Sequence, residues 1–376
     1  MQADETPASD LRELLRRYVT SGEFHINFIA DGLKEKINAV DADKRCGIFS
    51  AVRNKEWTAL HFASKIGDDK VVKIILSSLP SEDREKLIRL EDSEGCSAAF
   101  IAAKNGHTGI LELLIEALSD EQLSAICAYR DASTGKTILH MAIDRGFATV
   151  LDSILQCVPQ KILVVLLNAK DTNGNTVIHS AAKQHSSMTI KTIKNWVKDS
   201  KEKLNLFSAV DNCENTALHL EAKTGQFEAG KEILKGLSPS QSREVVSKMD
   251  AEGNTAVHLA ADNGNCAAMK VLLNNLTPMD RVVLLTMVDN RNKYTPLHYA
   301  AAKGFTDIVR CILDSLTEGQ QTLLLDVKSL ESKTAEECAR LKGHQETVKC
   351  LRKYRPKSDK SNLGKRSVII LIKIYN

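Results

Sequence analysis

Six histidines each follow a threonine by three residues: His61, His140, His179, His219, His258 and His298, at separations of 79, 39, 40, 39 and 40 residues. Imidazole is a common zinc ligand and a common general base, so six of them raise a metal or catalytic reading. The spacing argues against a shared metal. A constant period puts each ring in a copy of one structural unit, and packed helical layers lie about 8–10 Å apart, whereas zinc holds its ligands at about 2 Å. A structural duty fits better, with the ring hydrogen-bonded to the threonine and local backbone so that it holds a turn. Gly135-Lys136-Thr137 ends like a phosphate-binding loop, but the glycine that pattern requires five residues before Gly135 is Arg130. The same turn recurs as Gly174-Asn175-Thr176 and Gly253-Asn254-Thr255. With no His-Glu-x-x-His, Gly-x-Ser-x-Gly or Cys-x-x-Cys pattern, no catalytic, cofactor-binding or metal-ligating residue is assigned and the chain reads as a non-enzyme.

The separation of 79 is two periods with Phe100 at the vacant place, and one period beyond His298 lies Glu337, which makes eight units. Such a period over most of the chain is the signature of a solenoid whose units stack on their neighbours. Within a unit, Asp250-Ala-Glu-Gly253 reads as a turn, with Asp bonding its own backbone and Gly accepting positive φ. Thr255-Ala-Val-His-Leu-Ala-Ala then predicts a short first helix ended near Gly264. A second helix with an apolar face follows, as in Met269, Val271, Leu272 and Leu273 or Ile308, Val309, Ile312 and Leu313. A short third helix with its own start signals comes last, as at Ser81, Ser119 and Thr277-Pro278. Upstream, Phe28 to Val52 matches a second and third helix without a first, which suits a cap; Leu11, Leu14, Leu15 and Tyr18 mark one more amphipathic helix over it.

The recurring words, among them Trp57-Thr-Ala-Leu-His-Phe-Ala, Asn254-Thr-Ala-Val-His-Leu-Ala and Tyr294-Thr-Pro-Leu-His-Tyr-Ala, resemble the ankyrin repeat, whose Thr-Pro-Leu-His-x-Ala-Ala opening Thr295 to Ala301 matches most closely. The resemblance spans about residues 53–351. It implies an all-α, ankyrin-like solenoid of about eight enlarged helix-turn-helix repeats, each with a short third helix. The domain reading is 1–52 as an N-terminal helix and capping half-repeat, 53–351 as the array, and 352–376 as a basic, poorly ordered tail. Units of this length with a Ser/Thr-Pro third helix are similar to those of ankyrin-rich proteins of obligate intracellular bacteria.

Composition, 43% hydrophobic and 26% charged, is that of a soluble globular chain. Net charge is +3, but residues 352–376 alone hold +7, leaving −4 on residues 1–351. A nucleic-acid-binding array would be basic along a face, so no nucleic acid is expected. Nine scattered cysteines and a polar start indicate reduced thiols in a cytoplasmic compartment. Val368–Ile372 is too short to span a bilayer, and association with a membrane surface is expected only through the tail.

Two departures stand out: Glu221 where the other units have alanine, which needs a partner or a wet cavity, and His185 where Gly146 and Gly225 end their helices. For function, the resemblance implies a non-catalytic scaffold that needs no cofactor and binds another protein on its concave finger and helix surface, with a bacterial effector in host-cell cytoplasm as the further implication. The expected contact residues are Trp57, Lys136, Asn175, Asn215, Asn254 and Tyr294 before the threonines, and Lys65, Lys104, Arg145, Lys183, Lys223, Asn263 and Lys303 near the first-helix ends. The chain is expected to be monomeric, with self-association as the alternative.

Overall fold

A computed structural model describes residues 7–21, 26–50, 57–119, 123 and 129–355. Among them the chain is helical, with isolated bridging such as that between Glu91 and Ser97 and no strand. It divides into two compact units, Met1–Thr172 and Asn173–Asn376. The first holds the N-terminal cap and repeats 1–3, numbered by their Thr-x-x-His words; the second holds repeats 4–8.

Repeat 6 shows why the sequence folds this way. Thr255 is extended and caps the first helix, Ala256–Asp262, which Asn263 and the left-handed Gly264 end. The Asn265 side chain accepts from the Ala268 amide and starts the second helix, Cys266–Asn274. Thr277 caps the third, Pro278–Thr286, with proline at its first position. Ala256, Ala260 and Ala261 are buried, so first helices approach closely; Met269, Leu272, Leu273, Leu284 and Leu285 fill the gap behind them. In the finger turn, Asp250 Oδ1 accepts from the Glu252 and Asn254 amides at 3.0 and 2.8 Å. Gly253 has φ +80°, and a Cβ there would lie 2.6 Å from the Asn290 side chain and 2.8 Å from its backbone nitrogen, so glycine suits this finger, although Glu214 and Ser332 hold positive φ at the same place in theirs.

Stacking is row on row. In the second unit the first helices Val177–Lys183, Ala217–Thr224, Ala256–Asp262, Pro296–Lys303 and Ala335–Leu341 pack in order, and second and third helices form rows of their own. Single hydrogen bonds tie neighbouring fingers, as from Asn290 N to Glu252 O at 2.9 Å and Leu330 N to Asn292 O at 2.8 Å.

Both ends of the array add detail to the sequence reading. The cap is a full three-helix unit: Pro7–Ser21, Ile26–Asn38 and Ala42–Phe49 stack on the first, second and third helices of repeat 1. Pro7–Ser21 lacks a Thr-x-x-His word, yet Leu11, Leu15 and Tyr18 supply its apolar face. Tyr18 meets Phe62 edge-on at 5.1 Å and donates to Asp68 Oδ2 at 3.0 Å. At the other end the last helix, Gln345–Lys353, passes the limit of 351 because its end is tied back. Arg352 and Arg355 pair with Glu336 at 2.9 and 3.5 Å, and Tyr354 donates to Asp314 at 2.6 Å. The third helix expected after Ser119 and the Val368–Ile372 segment lie outside the described residues.

Candidate interaction face

The histidines do what their spacing implies, and something more. In every Thr-x-x-His word the threonine hydroxyl lies 2.6–2.9 Å from the ring Nδ1. Because the threonine amide also donates to Nδ1, Nε2 carries the ring proton. Nε2 donates forward, to the Asn215 carbonyl from His179 at 2.9 Å, to Asn254 from His219 at 3.0 Å, to Met287 from His258 at 3.0 Å and to Lys333 from His298 at 3.1 Å. Each ring thus caps its own helix and holds the approach to the next finger. Burial depresses the basicity of His61 and His298 and brings His219 and His258 down to about 4, so the neutral tautomer is the working form. In repeat 2, Ser97 caps the helix and Phe100 fills the slot, meeting Tyr129 edge-on at 5.2 Å among Cys96, Ile101, Trp57 and Met141.

In repeats 1, 3, 4 and 5 the residue before the threonine meets the residue eight positions on, across one turn of finger and the length of the first helix. Lys65 Nζ sits 4.7 Å over the Trp57 ring. Lys136 and Asp144 form an ion pair at 2.6 Å. Lys183 donates to Asn175 Oδ1 at 2.8 Å, and Lys223 to Asn215 Oδ1 at 3.1 Å. In repeat 6 the position eight on is Asp262, and Lys303 of the next repeat pairs with it at 2.7 Å. Tyr294 stacks on His298 at 5.4 Å and reaches Cys338 Sγ at 3.8 Å, with burial first among the causes that push its hydroxyl up to about 12.

This places the sequence-derived residues unequally. Lys65, Arg145, Lys183, Lys223, Asn263 and Lys303 are exposed, and Lys104, Lys136, Trp57 and Tyr294 are half-buried. Asn175, Asn215 and Asn254 are buried, so at these three finger ends the side chain turns inward. Asn175 and Asn215 orient lysines, and Asn254 accepts from the Tyr299 hydroxyl at 3.4 Å. Trp57 and Tyr294 are half-buried, packed against their own repeats and the next.

The two departures are one feature. Glu221, fully buried, bonds His185 Nδ1 through Oε1 at 2.8 Å and accepts from the Gly230 amide through Oε2 at 2.9 Å. His185 holds φ +51° in the place of a glycine. Elsewhere the amide after the helix-ending residue returns to the alanine carbonyl, as Asn265 N does to Ala260 O. In repeat 5 the Thr224 hydroxyl takes the Glu221 carbonyl, and the second helix, Glu228–Leu234, starts late with the Glu221 carboxylate at its N-terminus. Burial raises the Glu221 pKa, while Gly230 and His185 pull it back. Among the described residues no group of three or more His, Cys, Asp or Glu side chains is placed to hold a metal.

Comparison with known proteins agrees with this architecture. The family model described as ankyrin repeats (3 copies) matches residues 31–125, 60–163 and 191–281, and the single ankyrin repeat model matches 292–316. Calmodulin-binding transcription activator 4 of Arabidopsis thaliana is 36% identical over 72 residues, which is 19% of this chain and 7% of that protein. The ANK repeat-containing protein nipk-1 of Caenorhabditis elegans is 28% identical over 131 residues, 32% and 20% of the two chains. Alpha-latrotoxin-Lg1a of Latrodectus geometricus is 29% identical over 133 residues, 35% and 9%. The chain thus matches a fifth or less of the length of these relatives. In structure, the ankyrin repeat domain of Bcl-3, described as a unique member of the IkappaB protein family, superposes with a TM-score of 0.54 at 18% identity, covering 69% of this chain and all of that one. With the repeated capping word, the row-on-row stacking and family matches over more than half its length, the chain belongs to the ankyrin repeat family, whose repeats generally mediate protein–protein interaction.

Proposed function

We propose that the chain binds another protein on the face formed by its fingers and first helices, as a scaffold without chemistry of its own. The observation that carries this is the recurring pair between a finger-end residue and the residue eight on. These pairs hold exposed side chains such as Lys65, Lys183 and Lys223 in fixed places, so a partner meets a surface whose ordering cost has already been met on folding. The eight described cysteines are free thiols, which suits a cytosolic setting. The enlarged repeat, similar to those of ankyrin-rich proteins of obligate intracellular bacteria, extends the proposal to a host cytosol.

The test is affinity capture from a eukaryotic cytosol by the intact chain, by a Trp57→Ala, Arg145→Glu variant, and by a Val165→Asp variant. Val165 is 67% exposed on the third helix of repeat 3, Gln160–Asn168, away from the pairs described above. A partner lost by the first variant and kept by the second supports the proposal. The reverse pattern assigns binding to the third helices and sinks it.

A further inference from the structure

The repeats serve as internal controls for one another at the position eight residues after the finger end. In repeats 3 and 6 that position is Asp144 and Asp262, and each carboxylate is already neutralised, by Lys136 at 2.6 Å and by Lys303 at 2.7 Å. In repeats 4 and 5 it is Lys183 and Lys223. Both are exposed, both are aimed by an asparagine Oδ1, and neither forms an ion pair among the described residues. An amide oxygen fixes the ammonium without cancelling its charge, and it uses one of three donors.

Two nearby carboxylates are committed elsewhere. Glu221, two residues before Lys223, turns inward to His185 and Gly230. Asp211 takes the Cys213 and Asn215 amides at 2.9 Å each and the Asn215 side chain at 3.2 Å. Two oriented, unneutralised cations therefore stand at one repeat position on adjacent first helices, Val177–Lys183 and Ala217–Thr224.

We propose that Lys183 and Lys223 form a subsite for an extended acidic peptide segment with two carboxylates three residues apart. This rests on the protein-binding reading above and adds the partner's chemistry to it. Neighbouring first helices lie about 8–10 Å apart, and an extended polyproline II segment turns once every three residues and advances about 3.1 Å per residue, so side chains at i and i+3 share a face about 9 Å apart and match the lysine spacing. Discrete carboxylates suit the site better than a polyanionic strand. Exposed Glu214 and Glu252 lie in the flanking fingers, and residues 1–351 carry a net −4.

The test is a peptide-display selection of random sequences on the full chain, with a Lys183→Ser, Lys223→Ser variant as counter-target and a Lys183→Arg, Lys223→Arg variant as the charge-retaining control. Circular dichroism checks that each variant keeps its helices. The expected result is enrichment of peptides with Asp or Glu at i and i+3. Their affinity falls roughly three- to tenfold on the serine variant, is kept on the arginine variant, and weakens as NaCl rises. Acidic peptides that bind intact chain and serine variant equally are held elsewhere, above all by the basic residues 352–376, and overturn the proposal. Enrichment without the acidic pair overturns it too, and displacement by an oligouridylate better than by a diglutamate peptide would make the ligand a nucleic acid instead. An empty selection removes this subsite but leaves the wider reading standing wherever the Trp57→Ala, Arg145→Glu variant still loses its captured partner.

Discussion

Between Met1 and Thr172 the row of capping rings runs His61, Phe100, His140; between Asn173 and Asn376 it runs His179, His219, His258 and His298 and ends on Glu337. One slot is thus filled in three ways. The imidazole caps its helix and, as at His61, His179, His219, His258 and His298, donates on to the chain approaching or entering the next finger. Phe100 leaves capping to Ser97 and fills the space with an aromatic contact. Glu337 accepts from the Thr334 amide at 2.7 Å, doing the capping with a carboxylate. The fold needs a capped first helix and a filled gap, and the bond onward is one way of joining repeats. Where that bond is used, cohesion is tied to a titratable ring; where Phe100 stands, it is tied to packing alone.

Removing the slot's occupant in each unit should separate these modes. Phe100→Ala deletes a ring that is 1% exposed and should cost about 3–5 kcal/mol in urea unfolding. His258→Ala leaves the Thr255 amide and the Met287 carbonyl without their partner and should cost about 2–4 kcal/mol. Equal losses under both acidic and neutral conditions would erase the distinction. The pH dependence sharpens it. The folded-state pKa of His219 and His258 is depressed to about 4 from an unfolded value near 6.5, so their stabilisation is complete above about 6.5 and is lost as pH falls toward 4. Hydrogen exchange in Ala217–Thr224 and Ala256–Asp262 should therefore quicken, beyond its intrinsic rate change, more than in Ala98–Asn105 over that range.

A smaller effect belongs to the buried pair in repeats 4 and 5. Glu221→Ala leaves His185 and the Gly230 amide unpaired and should cost about 1–2 kcal/mol. Adding His185→Gly removes both the orphaned ring and the positive-φ strain, so the double variant should be more stable than the two single changes predict by about 1 kcal/mol. Strict additivity in a double-mutant cycle would mean that the two departures are unrelated. Smallest of all, Lys303→Ala breaks a partly exposed pair with Asp262 and should change stability by no more than about 0.5 kcal/mol.

Much of this was legible in the sequence because the repeat writes it eight times. The period, the Thr and His capping word, the turn aspartates and the third-helix starts all use side chains whose types carry the signal. The forward bond from Nε2 was not legible, since its acceptor is a backbone carbonyl that any residue supplies. The cap's first helix was legible as an amphipathic segment in Leu11, Leu14, Leu15 and Tyr18, but its place in the row of first helices was not, because it lacks the word. For the interaction face, the exposed lysines could be named, but the asparagines' burial depended on turns that fold over them. The pairing eight residues apart was written in Lys65, Asp144, Lys183 and Lys223, though seeing it required knowing that the finger folds back beside its helix. Glu221 and His185 were each visible as departures; that they meet across 36 residues is a fact of stacking.

The most direct test of the account is hydrogen exchange of the full chain with and without its captured partner, resolved by peptide. Slowed exchange confined to the finger turns and the first helices, Ala217–Thr224 and Pro296–Lys303 among them, is the predicted result. Protection centred on the third helices, such as Gln160–Asn168 and Pro278–Thr286, or on residues 356–376, with the fingers unchanged, would contradict it.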